Sequence, residues 1–412
     1  MTQPRPVRPV LWPEIRAMLL AAMAIFLYTI GIGILNGTDL VDFDQRRILG
    51  HVHGGTLGWL TLSVFAASLW LFGAGPALTA MERTAARWLA VAGVAAFVCY
   101  IAAFSLTYGN MRPVFGTIST LVIAGFFAWV LARAKKVDLG VPHWGFLAAL
   151  GTSIVGGVLG ILLAIKIANG TDWLTKNLDG AHPATMVVGF LVPVGLGMAE
   201  WAFTFPAPPK ATRLGIIQMV FPFLGGLVLM VSLLADITPL APIAILLQII
   251  GFGIFIKRMW PNLRAVNFAE AGPGRHAVLA AVSLLGVIAL AQYLVIKYEG
   301  DLDLAPQHML LALDHTQFIG LMTNSIFAML LSATVGRKGS LVDHVVFLAV
   351  NIGLLGFAVG LIADATVMKR IFAPIMGTGL LLGLAVFALR LLEVEVRGLT
   401  SSEPAPSGAA GQ

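Results

Sequence analysis

The chain has 412 residues, 58% of them hydrophobic and 11% charged, with a mean hydropathy of +0.91, which excludes an ordinary soluble domain and makes a lipid bilayer its solvent. The net charge of +6 suggests no nucleic-acid partner, because the basic residues sort by loop rather than cluster. A single cysteine, Cys99, excludes a disulfide framework and a cysteine metal cluster; it lies in an apolar run and is expected to be an inert buried thiol.

Residues 1–13 form a polar N-terminal segment, MTQPRPVRP being too polar for a signal h-region, so the first apolar run is read as a retained helix. A spanning helix needs about 20 mostly apolar residues. Twelve such stretches are expected, at 14–36, 50–74, 86–107, 113–134, 143–167, 181–204, 214–235, 239–257, 276–297, 307–334, 341–363 and 371–394. They form one all-α polytopic membrane domain over 14–396. The Ser-, Pro-, Gly- and Ala-rich end, 397–412, cannot bury enough apolar surface to order and is expected to be a disordered tail.

With the N-terminus inside, the outer loops and helix ends hold Arg46, Arg47, Arg112, Lys166, Lys176, Lys297, Lys369 and Arg370. The other 18 of the 26 basic residues fall on the inner side. This asymmetry follows the positive-inside rule and puts both termini in the cytoplasm, for which a bacterial cytoplasmic membrane is the expected setting.

The link between the first and second stretches, ILNGTDLVDFDQRRILGHVHGG, shares Asn-Gly-Thr-Asp with that between the fifth and sixth, AIKIANGTDWLTKNLDGAHPAT. The link from the ninth to the tenth, VIKYEGDLDLAPQHMLLALDHTQ, repeats the pattern loosely. Each copy leads into a histidine. Helices 2, 6 and 10 thus occupy equivalent places, and twelve helices with a repeat of four imply three four-helix arcs about a pseudo-threefold axis. The alternative is that these are ordinary loop residues sharing a tetrapeptide by chance.

An ionisable side chain at membrane depth is costly and usually faces a bundle interior, a cavity or a cofactor. His143, His276 and His344 lie near the inner surface and are expected to be hydrated interfacial residues. His51, His53, His182, His308 and His315 all fall on the outer half of helices 2, 6 and 10. His51 and His53 point about 200° apart on a helix and cannot face one iron. His53 precedes Gly58 by five residues as His315 precedes Gly320, so the matched spacing favours His53 and His315 as two imidazoles on one heme iron. His51 stays as the alternative to His53, and hydrogen-bonded core histidines are the structural alternative. His182 is a third metal ligand, a proton relay or an outer cap. His308, two turns from His315, belongs at the rim within reach of a heme propionate.

The stretches GHVHGGTLGWLTL, AHPATMVVGFLVPVGLGMAEW and DHTQFIGLMTNSIFAML resemble the second, sixth and tenth helices of the large subunit of heme-copper oxidases and nitric oxide reductases. The His-x-His-x4-Gly pattern is also similar, more weakly, to NnrS-type heme and copper membrane proteins. The resemblance implies His53 and His315 as low-spin heme ligands, with His51 open in place of His53, and His182 as a copper-type histidine. It also implies that Lys369 and Arg370 hold heme propionates; an ordinary hydrated loop pair is the alternative. Two departures stand out. Position 313, the place of a high-spin heme ligand, is leucine, and the seventh helix has no histidine. The oxygen-reducing centre is therefore expected to be incomplete, with one heme b and no stoichiometric copper.

Asp314, Asp236 and Asp364 form an acidic outer set, a hydrated rim or a proton path, and Asp314 is also placed to anchor an imidazole N–H. Glu200, eighteen residues after His182, belongs to the inner surface. The reading is a bis-histidine b-type membrane cytochrome for electron transfer or gas sensing, served by an electron-donor protein or quinol and by partner subunits. Its rivals are an active oxidase or nitric oxide reductase with unusual ligands and a heme-free transporter on the same scaffold.

Overall fold

The computed structural model describes residues 9–107, 109–171, 177–299, 304–334 and 341–400, with side chains to residue 392. Among these, twelve helices are long and apolar enough to cross a membrane. They are α1 (Trp12–Gly37), α2 (Gln45–Gly73), α3 (Ala80–Leu106), α4 (Met111–Ala134), α5 (Val141–Asn169), α6 (Leu178–Thr204), α7 (Arg213–Ala235), α8 (Leu240–Arg264), α9 (Pro273–Lys297), α10 (Gln307–Ala333), α11 (Leu341–Ile362) and α12 (Thr366–Thr400). No strand occurs among the described residues. The all-α polytopic membrane fold expected from hydropathy is the fold observed. The last helix reaches Thr400, past the expected start of the tail at 397, and 401–412 lie outside the described residues.

Helices α2, α6 and α10 are the centre. Their apolar windows are 89%, 72% and 83% buried, against 50% or less for the other nine. They are also the least hydropathic, at 1.5, 1.7 and 1.3 against 2.1 or more. A helix screened from lipid by its neighbours is free to carry polar groups that a lipid-facing helix cannot. The three touch one another: Trp59 Nε1 of α2 donates to Thr323 Oγ1 of α10 at 3.0 Å, Trp70 of α2 meets Trp201 of α6 edge-on at 6.0 Å, and Leu321 of α10 fills the space over Gly195 of α6. The outer helices follow in chain order and α12 returns to α1, where a side chain at Gly37 would strike Ala373.

Each central helix contains a π-turn, and the three begin at Gly54, Thr185 and Thr316, each 131 residues after the one before. A π-turn accommodates one extra residue and frees a backbone carbonyl. Thr61 Oγ1 donates to Thr56 O and Thr323 Oγ1 to Phe318 O, both at 2.9 Å, covering that carbonyl from five residues ahead. The matching position in α6 is Val192, which has no hydroxyl, and there the buried Gln317 Nε2 of α10 donates to Val187 O instead. This distortion, common at functional sites, thus recurs in one register with its polar cost met each time.

At the histidine-bearing end the odd-numbered helices are followed by residues with positive φ: Asp39, Gly109, Gly170, Asp236, Glu299 and Asp364. Left-handed closure is usual for a helix C-terminus. At the opposite end Arg133, Arg258 and Arg390, near the ends of α4, α8 and α12, pair with Glu82, Glu200 and Asp343 at 3.3, 2.7 and 2.8 Å. Glu200 is therefore remote from the histidines, as its place in the sequence implied.

Candidate functional site

Asp44 caps the start of α2 six residues before the first expected apolar position, its side chain accepting from Arg47 N at 3.0 Å. The same contact and Arg46 hold its carboxyl below the usual carboxylate range. His51 and His53 therefore lie on a formed helix rather than at its mouth. Helix α6 likewise starts early, at Leu178, so Pro183 falls inside it and not in its first turn.

The imidazoles of His51, His53, His182 and His315 share one bonding pattern. His51 Nδ1–H donates to Thr29 O of α1, and His182 Nδ1–H to Gly156 O of α5, each at 2.8 Å. His53 and His315 donate to the carbonyls four residues earlier on their own helices, Leu49 and Leu311, also at 2.8 Å. A carbonyl can only accept, so in all four rings Nδ1 carries a proton and Nε2 is the nitrogen left for a further partner. Among the described residues no protein group bonds Nε2 in any of the four. All four are partly buried, with aromatic side chains packed against His53 and His315. Asp314 does not anchor any of these rings.

His51 and His315 lie within electrostatic range of each other, and His53 within range of His182 and Arg112. The spacing that singled out His53 and His315 has a different geometric meaning. Each stands one residue before a π-turn, so they are equivalent positions on two central helices, and the histidine within electrostatic range of His315 is His51. His51 and His182 form the other equivalent set, three residues before their π-turns. Their rings cross glycines four residues beyond the carbonyls they bond: a methyl at Gly33 would come within 3.2 Å of His51 Cε1, and one at Gly160 within 2.7 Å of His182 Cε1. Gly58 and Gly320 face Ile25 and Ser283 instead. They serve helix contact, not space beside the histidine.

Beside His53, the Phe104 ring stacks at 3.8 Å and Tyr100 meets it edge-on at 5.6 Å. Buried Arg112 sits 4.7 Å over the same Phe104 ring and donates to its carbonyl at 3.3 Å. His315 has Phe357 edge-on at 5.1 Å. At the rim, Lys369 Nζ lies 3.1 Å and His308 Nδ1 4.0 Å from Asp364, while Arg370 pairs with Asp39 at 2.9 Å. These two basic neighbours hold the Asp364 carboxyl below its ordinary range, the Lys369 contact leading.

Three expectations need correction. His143 and His276 are buried, not hydrated at an interface, because protein groups supply what water would. His143 accepts from Gly140 N at 3.0 Å and donates to Leu71 O at 3.2 Å, and His276 Nδ1 bonds Asn324 Oδ1 at 2.8 Å, itself tied to Asn351. Cys99 is exposed, on a face of α3 turned away from the core, where an apolar thiol meets lipid without penalty.

Arg112 and the π-turns were missed by sequence reasoning. Arg112 reads as one more basic residue at a helix end. The signal for the π-turns is present, since Gly58, Gly189 and Gly320 recur at intervals of 131.

Fold and site together define an integral membrane protein with four carbonyl-anchored imidazoles on its three central helices at one end. The sequence matches no family model and no curated protein.

Proposed function

We propose that the protein is a b-type membrane cytochrome in which His51 of α2 and His315 of α10 would hold the heme. The observation that carries this reading is that two rings from central helices, within electrostatic range of each other, each have Nδ1 fixed by a carbonyl and no protein partner at Nε2 among the described residues. A hydrogen bond at the second nitrogen is what metal-ligating histidines ordinarily have, and it orients the ring and raises its basicity. The donor set fits heme better than a bare ion. Among the described residues no group of three or more His, Cys, Asp or Glu is placed to hold a metal, whereas heme brings four nitrogens and needs only two axial ligands. Covalent heme attachment is excluded by the single cysteine.

When bound, such a group supplies one-electron chemistry. The carbonyl bonds orient the imidazoles, Phe357 packs against His315, and Lys369 and Arg370 at the start of α12 would meet heme carboxylates. A heme held by both imidazoles would favour electron transfer over gas binding and would not reduce oxygen. Leu313 and the histidine-free α7 support the same reading. We assign the histidine end to the outer side, both termini to the cytoplasm of a bacterium, and the three four-helix units to a pseudo-threefold arrangement. Support comes from the basic-residue asymmetry and the 131-residue register. A quinol or an electron-carrying protein is the expected donor.

The test is the absorption spectrum of purified variants. His51→Ala and His315→Ala should each lower heme content and the sharp α-band of reduced low-spin heme, whereas His276→Ala, whose ring is already bonded to Asn324, should leave both intact. Full retention in both ligand variants would overturn the assignment.

A further inference from the structure

His51, His182 and Leu313 each stand three residues before a π-turn, and His53, Ala184 and His315 each stand one before. The central helices therefore offer three combinations of an earlier position on one helix with a later position on another. His51 with His315 is the first and His182 with His53 the second, and the members of each couple are electrostatic neighbours. The third, Leu313 with Ala184, has no imidazole.

The surroundings divide in the same way. Phe357 of α11 stands beside His315, and Phe104 and Tyr100 of α3 with buried Arg112 of α4 stand beside His53, while the start of α12 carries Lys369 and Arg370. Helix α8, the counterpart of α4 and α12, carries no lysine or arginine before Lys257. Two of the combinations thus have two imidazoles within electrostatic range, an aromatic neighbour and a basic helix start, and the third has neither imidazoles nor a basic start on α8. A bare metal ion at His53 and His182 would have two protein ligands and an arginine opposing its charge. A macrocycle that brings its own nitrogens and carries carboxylates meets neither difficulty.

Resting on the heme reading of His51 and His315, we infer that the chain holds a second heme, ligated by His53 of α2 and His182 of α6, with Arg112 placed to meet its carboxylates. His51 and His53, about 200° apart on one helix, then serve two different groups, which explains why both are present with the same Nδ1 arrangement.

The experiment is heme and copper quantification on the purified full chain, with electron paramagnetic resonance of the oxidised protein. Wild type should contain two hemes per chain and two low-spin signals. His182→Gln, whose amide can still donate to Gly156 O, and His53→Ala should each halve the heme and remove one signal, the same one in both. His315→Ala should remove the other, and His182→Gln combined with His315→Ala should leave none. Retention of helical circular dichroism and of the remaining signal separates ligand loss from misfolding. One heme in wild type, lost in His315→Ala and kept in His182→Gln, would overturn this inference and leave the first site standing. No heme in wild type would overturn both. One copper per chain that depends on His182, with heme unaffected by His182→Gln, would also overturn it.

Discussion

Gly160→Ala tests whether the His182 ring is seated where its role requires. A methyl group there would lie 2.7 Å from Cε1, 3.0 Å from Nδ1 and 3.3 Å from Nε2 of His182. The ring is rigid and tied to Gly156 O at 2.8 Å, so it cannot give by rotating a flexible end. Overpacking of this kind costs about 1–3 kcal/mol, and loss of the imidazole hydrogen bond adds about 0.5–1.5 kcal/mol. Alanine's better helix propensity returns at most about 1 kcal/mol, leaving a net loss of roughly 1–3 kcal/mol. Gly33→Ala should act in the same direction more weakly, its nearest His51 atom being 3.2 Å away. Gly180→Ala, with nothing within 4 Å, is the control and should be neutral or slightly stabilising. Thermal unfolding in detergent, followed by circular dichroism alongside heme content, gives the comparison. If Gly160→Ala matched Gly180→Ala in both, the seating of His182 against α5 would be refuted.

Arg258→Met should cost about 3–5 kcal/mol by leaving buried Glu200 without the guanidinium that meets both its oxygens at 2.7 and 2.8 Å. Adding Glu200→Gln should recover most of that loss, and thermal unfolding of the single and double variants checks it. Cys99 should react with a lipid-soluble maleimide in liposomes and not with a membrane-impermeant one; labelling by the impermeant reagent would contradict its lipid-facing position. Reporter fusions at Gln412 and in the 135–140 loop should report cytoplasm and one in the 168–180 loop the outside, and the opposite pattern would reverse the orientation.

The fold was legible because hydropathy and helix length constrain a membrane chain so tightly. The three histidine-bearing helices were identifiable too, through the Asn-Gly-Thr-Asp echo before the first two, the looser match before the third and the histidine that follows each. Which histidines neighbour each other was not. A pattern such as His-x4-Gly marks equivalent positions, and equivalent positions on related helices need not face one another. Pairing depends on the π-turn register and on which carbonyl fixes each ring, Thr29 for His51 and Leu49 for His53, and neither follows from local sequence. The burial of His143 and His276 was hidden for a related reason: Leu71, Gly140 and Asn324, which replace water, are brought to them by folding.

The most direct test of the central claim is the reduced-minus-oxidised absorption spectrum of the full chain purified from cells supplied with heme. The account predicts the sharp α-band of low-spin heme, diminished in both His51→Ala and His315→Ala. A folded, monodisperse protein with no heme absorption would contradict it and return the chain to the class of heme-free transporters.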